Sequence, residues 1–516
     1  MFREESGQIT VYLALIFFVS MGLAFCVLEG MRSYMESTLA EDAFQGAGNY
    51  VLSYYDKALY QNYHVFFMDP RERGQIVSDG ESYVDDYLSE KSYFDLDCRE
   101  LAVTEEKTAV DEDGLYLKHQ IREWMKYRES ARARQKWRKL FEASEKSRAE
   151  AETIEKDMGE AQKAIDEASS SEDSKEKENL PVASEAAKEQ QALSKRRGMQ
   201  WKEIKDTFTQ IMDAGILFYV IDNTEEVSGL SISSEALPSG KKASEKKGFL
   251  EGGLSFSSVE GWKNLLSSVK EELPEINLSV DDYYILRYIS EYFRRYGNEK
   301  EGKSGLRYET EYLIGGEVED KENLKAVANR IFGLRFASDY AYLSGDSEWK
   351  ATSAAISGAL TGVLGFPQAQ KAVQVLLTAS MSLGEALLDV HAIFSGQKVP
   401  LYKSKDTWNV TFDNIAVLLK NKGPVKTGGK GSAGYEEYLN LLLAVGKSSE
   451  RRLFRMMDIM QVNTALEEPG FLMEDSLFSF RWEGKIKSSR WFSVMPATGV
   501  RGDQSFTIEL SRNYSY

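Results

Sequence analysis

Glu385, Asp389 and His391 come nearest to a catalytic pattern in this chain. Residues four apart share a face of a helix, so Glu385 and Asp389 present two carboxylates side by side. Such a pair can hold a cation or divide general acid and base roles. His391, two residues past Asp389, points to nearly the opposite face, so the three groups do not converge. Structural hydrogen bonding is the expected role of the two acids. The segment Gly429-Lys430-Gly431-Ser432-Ala433-Gly434 matches G-x-G-x-x-G between a strand-like and a helix-like stretch. It lacks the βαβ unit and the ribose-binding acid of a dinucleotide site and reads as a flexible loop. His64, His119 and His391 are too scattered for a metal site. Arg501-Gly502-Asp503 spells the tripeptide of integrin ligands and is expected to be a turn. Met495-Pro496-Ala497-Thr498-Gly499 resembles a sortase signal, but no apolar run with a basic end follows it. No H-E-x-x-H, G-x-S-x-G or Walker loop is present. The sequence therefore offers no catalytic, cofactor-binding or metal-ligating residue, and the chain reads as a non-enzyme that needs no cofactor.

The element with the plainest physical meaning lies at the other end. Ile9 to Leu28 reads ITVYLALIFFVSMGLAFCVL, without a formal charge. As a helix at ~1.5 Å per residue it spans a hydrocarbon core of roughly 30 Å. A cleavable signal would need a basic start, a shorter apolar run and small residues at the cut. Here MFREES carries one Arg against two Glu, and the run leads into Glu29-Gly30-Met31-Arg32. A retained signal-anchor is expected. Phe25 stands where a lipoprotein needs a small residue beside the lipidated Cys26, which excludes that reading. Arg3 and Arg32 nearly balance across the span, and long domains translocate largely regardless of charge. The expected topology is a single pass through the cell membrane with the C-terminal part extracytoplasmic.

Of 516 residues, 42% are hydrophobic and 12% aromatic, which excludes global disorder and allows more than one core. A net charge of −17 argues against nucleic acid, because phosphate binding needs clustered cations. Cys26 and Cys98, one in the span and one beyond it, do not form a disulfide framework.

An α+β fold is expected, with an N-terminal transmembrane helix, a membrane-proximal α+β unit containing an antiparallel sheet, a long charged helical hairpin and a helical bundle. Residues 1–8 form the cytoplasmic tail and 9–28 the anchor. Residues 29–114 carry a membrane-proximal helix and strands. Met31, Tyr34, Met35, Leu39 and Ala43 follow helical spacing, with a weakening at Gly46 and Gly48, and Val51 to Tyr63 continues it. His64–Met68 is a short buried strand or turn, and 93–110 is extended. Residues 115–215 form the charged, coiled-coil-like hairpin. Its basic run, Arg122 to Lys139 with Trp124 and Trp137, reads as a solvated face. Within it Ile154, Met158, Ala161 and Ile165 keep heptad-like spacing.

Residues 216–304 are a mixed α/β segment with linkers. There Ile216–Ile221 ends a helix in a β-like run, 226–238 is strand and turn, and 279–296 is helical. Residues 305–407 form the bundle. Asp320 is the expected N-cap of a helix carrying Leu324, Val327, Ile331 and Leu334. The run 351–366, with its Ser, Thr and Gly, is too short for a second span, and Glu385 and Asp389 disfavour one in 372–394. Residues 408–516 comprise a strand at 408–420, the Gly/Lys loop 421–434, helices at 435–445 and 450–466, and strands at 476–486 and 505–510.

Three stretches carry a family resemblance. Ser6-Gly7-Gln8 precedes the apolar helix, Glu29-Gly30-Met31-Arg32 leaves it, and Leu39-Ala40-Glu41-Asp42-Ala43-Phe44-Gln45-Gly46-Ala47 follows. This N-terminus resembles the TadE/TadG-like proteins of Tad (Flp) pilus loci. YETEYLIGGEVEDKENLKAVANRIFGLR (308–335) and EALLDVHAIFSGQKVPLYKSKDTW (385–408) resemble a larger uncharacterised family found beside such loci in Gram-positive bacteria. One departure stands out. Pilin-like precursors are cut after a Gly with Glu at the fifth mature position, and a cut after Gly7 places Tyr12 there. The resemblance implies a membrane-anchored, extracytoplasmic structural or assembly component of a Tad-type pilus or secretion system. Its partners would be the lipid bilayer, through residues 9–28, and other pilus-locus membrane proteins. A surface adhesin or receptor domain without catalysis is the alternative.

Overall fold

The computed structural model describes residues 5–91, 94–128, 156, 159–160, 163, 185–233, 236–242, 279–298, 303–364, 370–428, 431–445, 449–489 and 505–516. Most of the expected charged hairpin, the cations from Arg132 to Lys139, the heptad-spaced positions, Gly429 and Lys430, the Arg501–Asp503 tripeptide and Met495–Gly499 lie outside them. The described chain is α+β. Helix α1 spans Glu5–Leu52, α2 Lys57–Tyr63, α3 Ile76–Lys91, strand β1 Leu96–Thr108 and α4 Leu115–Lys126. Then come α5 (Glu185–Ala214), α6 (Ile216–Val220), α7 (Val280–Tyr292), α8 (Glu309–Gly315), α9 (Asp320–Gly345), α10 (Ser347–Leu364) and α11 (Gln370–Phe394). The last part holds β2 (Val399–Pro400), α12 (Ile415–Lys420), β3 (Ser432–Ala433), α13 (Tyr435–Val445), α14 (Ser449–Glu467), β4 (Leu477–Ser489) and β5 (Ser505–Ser515). The elements group into two units, Met1–Gln120 with Glu467–Tyr516, and Ile121–Leu466.

The first unit is built on an antiparallel sheet of order β1-β4-β5. Strand β4 alternates as a half-buried strand must. Phe480, Trp482, Gly484, Ile486 and Ser488 face inward, while Glu483 and Lys485 face solvent. Register pairs Val103 with Trp482, Phe480 with Tyr514 and Ile486 with Ile508. The outer face carries charge pairs such as Lys485–Glu100 at 2.7 Å and Arg481–Glu105 at 3.4 Å. The inner face packs on Ala40, Ala43, Phe44, Ala47 and Val51 of α1 and on Val84 and Leu88 of α3.

Helix α1 departs from its expected pattern in two ways. Its buried stripe is Arg32, Glu36, Ala40, Ala43, Phe44, Ala47 and Val51, whereas Met31, Tyr34 and Met35 are 57, 75 and 56% exposed. A buried ion pair, rather than large apolar residues, sets the inward face. The helix also does not weaken at Gly46 and Gly48 but runs to Leu52. These glycines allow close approach: a Cβ on Gly48 would fall 1.9 Å from the Tyr514 ring. Gly48→Ala is therefore expected to destabilise this unit by about 1–3 kcal/mol through overpacking, measured as a lower urea midpoint. An unchanged midpoint would show that the β5 end yields freely. Beyond Leu52 the helix breaks, and Asp56 caps α2 by accepting from the Leu59 N–H at 2.7 Å.

The second unit is helical. Helices α9 and α11 form its centre, with Leu324, Val327, Ile331 and Leu334 buried as their spacing requires. α11 is long and apolar enough to cross a membrane, yet 78% of its most apolar window is buried within the fold. It is a core helix. Other local expectations are corrected. Ile216–Val220 is a short helix rather than a β-like run, started by Gly215 at φ +95°. Residues 226–233 and 236–238 make only an isolated bridge, Ser231 with Glu319, among the described residues. Residues 415–420 are helical rather than extended. The N-cap of α9 is Glu319, and Asp320 turns back to accept from the N–H groups of Arg307 and Tyr308 at 2.8 and 3.1 Å.

Candidate functional site

The expected face of Glu385 and Asp389 exists, and the cation it holds belongs to the protein. Lys403 Nζ lies 2.5 Å from Glu385 Oε1 and 2.8 Å from Asp389 Oδ1, with all three side chains 0% exposed. Arg335, from α9, donates through Nη2 to Asp389 Oδ2 at 2.6 Å and to Asp339 Oδ1 at 2.6 Å. Its Nη1 donates to the carbonyls of Pro400 and Leu401 at 3.0 and 3.1 Å. Glu385 Oε2 accepts from the N–H groups of Asn409 and Val410, both at 3.0 Å. Two helices thereby grip the backbone of residues 399–410 at both ends, which positions β2.

Three carboxylates surround two cations here, and burial decides where a proton sits. Burial, with Asp389 nearby, holds the Asp339 carboxyl well above the ordinary range against the pull of Arg335. Burial raises the Glu385 carboxyl as well, against the pull of Lys403. Burial opposes the Lys403 charge, but Asp389 and Glu385 outweigh it and hold its pKa above the ordinary value. General acid–base chemistry needs reach to a substrate, and these groups have no exposed surface. The arrangement is a buried staple. His391 turns away to Asp222, 3.2 Å off, as its spacing demands.

A second buried group was not legible as a site. In α8, Glu309 and Glu311 are 2% and 0% exposed, flanked by Tyr308 and Tyr312. Glu309 accepts from the Arg294 N–H, the Ser304 hydroxyl and the Asn463 amide, each at 2.7 Å. Glu311 Oε1 accepts from the Tyr435 hydroxyl at 2.7 Å and the Tyr296 N–H at 3.0 Å. Burial pushes its carboxyl up from 4.5 to about 7. The unfolded group releases its proton near 4.5, so between these values the folded state binds more protons. This contribution is fully present below about pH 4.5 and is lost as pH rises to about 7. Glu311→Gln should remove it, so the stability of wild type relative to the variant should fall by on the order of 3 kcal/mol over that window. A difference that does not change with pH would overturn the assignment.

The remaining sequence features do not converge. His64 ends α2 at φ 53°, and His119 lies exposed on α4. Cys26 and Cys98 are free. Ser432 and Ala433 pair with Pro400 and Val399, so this part of the Gly/Lys loop serves a two-residue sheet. Of the basic run, Arg122 and Lys126 meet Glu123 and Arg128 meets Glu291, all within the fold's own acids. One group sequence spacing did not suggest has cation-like geometry: Asp56, Asp69 and Glu468.

The apolar helix is the other functional surface. From Ile9 to Val19 its side chains are exposed, and Val11, Ala14, Leu15, Phe18 and Val19 form one continuous apolar face. Apolar surface of this extent fits a membrane anchor. At its exit Arg32 is buried, with Nη1 2.6 Å from Glu36 Oε1 and Nη2 2.9 Å from Glu29 Oε1. Glu36 Oε2 accepts from the Ser488 hydroxyl at 2.8 Å. The charges that leave the apolar run are thus part of the first unit's core.

Among protein families, the model of DUF5702, a family of unknown function, matches residues 195–488. That is more than half of the chain. The chain belongs to DUF5702. The DUF5702 match includes the whole Arg335–Asp339–Glu385–Asp389–Lys403 staple, the acids of α8 and most of β4. No curated protein and no solved structure matches the chain.

Proposed function

We propose that this DUF5702 protein is a membrane-anchored, extracytoplasmic structural or assembly component of a Tad (Flp) type pilus or secretion system, acting through protein contacts. The observation that carries the reading is the continuity of α1. One helix of 48 residues holds an exposed apolar half and a half whose Arg32, Glu36, Ala40, Phe44 and Ala47 are buried in the first unit. Force or position at the bilayer is transmitted to a folded unit without a flexible joint, as an assembly component requires. The resemblance of residues 6–47 to TadE/TadG-like proteins supports the pilus context. The Arg335–Asp339–Glu385–Asp389–Lys403 cluster acts as a staple, which supports a role for it in holding the fold rather than in chemistry. Deleting the gene in a piliated host and imaging the surface tests it. Loss or misassembly of pili, restored by the full chain, is expected. Unchanged pili with lost surface adhesion would replace this reading with an adhesin.

A further inference from the structure

The geometry points to a divalent-cation site of the calcium class in the first unit, formed by Asp56, Asp69 and Glu468. One oxygen from each carboxylate lies within 4.8 Å of the other two. A calcium ion binds oxygens at about 2.3–2.6 Å, so any two of its ligands stand no more than about 5 Å apart. The three acids come from the N-cap of α2, the turn after it and the segment just past α14.

Two of them are pinned opposite each other. The Asp56 N–H donates to the Phe67 carbonyl and the Asp69 N–H to the Tyr54 carbonyl, each at 2.9 Å, around a bridge between Tyr55 and Met68. Asp56 supplies the observation that points to a ligand. It is 0% exposed, its Oδ1 is used by the Leu59 N–H, and no nitrogen or hydroxyl donor reaches its buried Oδ2, so within the fold this carboxyl can add only a proton shared with Glu468. A buried carboxylate oxygen left so is costly, and its neighbours are carboxylates. The nearby cation, Arg71, is 61% exposed and pairs with Asp69 and Glu468 rather than with Asp56. One guanidinium against three carboxylates leaves room for two further positive charges. A bound ion would tie residues 56 and 69 to residue 468, where the chain returns to this unit.

The test uses the full chain in detergent, freed of metal with a chelator and titrated with CaCl2 by calorimetry. One ion per chain is expected, with Kd on the order of 0.1–1 mM, the range of extracellular calcium modules, and with a raised thermal midpoint. Asp56→Asn keeps the Oδ1 cap and replaces Oδ2, and should weaken binding at least about tenfold. Glu468→Gln, at a more exposed position, should do the same if the first variant folds poorly. Arg71→Ala should bind as well or tighter, because the guanidinium competes for the same oxygens. Absence of binding by wild type up to about 10 mM CaCl2 would overturn the site and leave Arg71 and shared protons as its only compensation. Equal binding by wild type and either carboxylate variant would overturn it too, since the ion would then sit elsewhere.

Discussion

Replacing Asp389 with alanine should destabilise the second unit by about 3–5 kcal/mol, the cost of removing one partner from a buried ion pair. Asp389 binds both cations of the staple, Lys403 through Oδ1 at 2.8 Å and Arg335 through Oδ2 at 2.6 Å. Without it, Glu385 alone would face two buried positive charges. Asp339 supplies partial relief, because its proton, held there by burial, can leave once Asp389 is gone. That relief places the expected cost nearer the lower end of the range. Arg335 would also lose the acceptor that aims its Nη1 at the Pro400 and Leu401 carbonyls, so β2 should loosen. Urea unfolding at neutral pH measures the loss, and hydrogen exchange over residues 399–410 should rise with it. A loss below about 1 kcal/mol would mean that the cluster is hydrated and not a staple.

The second large effect is expected in the first unit. Trp482→Ala removes a side chain that is 0% exposed at the centre of the sheet's inner face. Its ring packs 5.8 Å from Phe44 of α1, 5.2 Å from Phe480 and 5.5 Å from Tyr514, centroid to centroid. Gly80 of α3 has no Cβ where the indole passes: one would fall 2.6 Å from it. The variant leaves a cavity between three elements that cannot all collapse inward, and a cost of about 3–5 kcal/mol follows. Trp482→Phe keeps most of the apolar volume and should lose less. Chemical denaturation of both variants checks the order, and equal losses would contradict it.

Sequence legibility followed length and separation. The apolar half of α1, strands β1, β4 and β5, and helices α9, α13 and α14 were readable because each sustains one period over several repeats. Helices α6 and α12 have five and six residues, too few for a 3.6-residue period to show against their β-branched content. Gly46 and Gly48 read as breakers because their packing partners, Tyr83 and Tyr514, lie far along the chain. The same limit governed the staple. Glu385 and Asp389 share a face by spacing alone, but Arg335, Asp339 and Lys403 are brought to it by tertiary structure. Asp56, Asp69 and Glu468 are separated still further. No local pattern marks them, and only their convergence around the buried Asp56 carboxyl singles them out.

The proposed function requires α1 to be a retained anchor with both units outside the cytoplasm. The most direct test is an alkaline phosphatase reporter, active only outside the cytoplasm, fused after Tyr516 and measured in fractionated cells. The account predicts full-length fusion in the membrane fraction with high phosphatase activity. Activity absent from a stable, membrane-bound fusion would contradict the topology, and active fusion released without residues 9–28 would contradict the anchor.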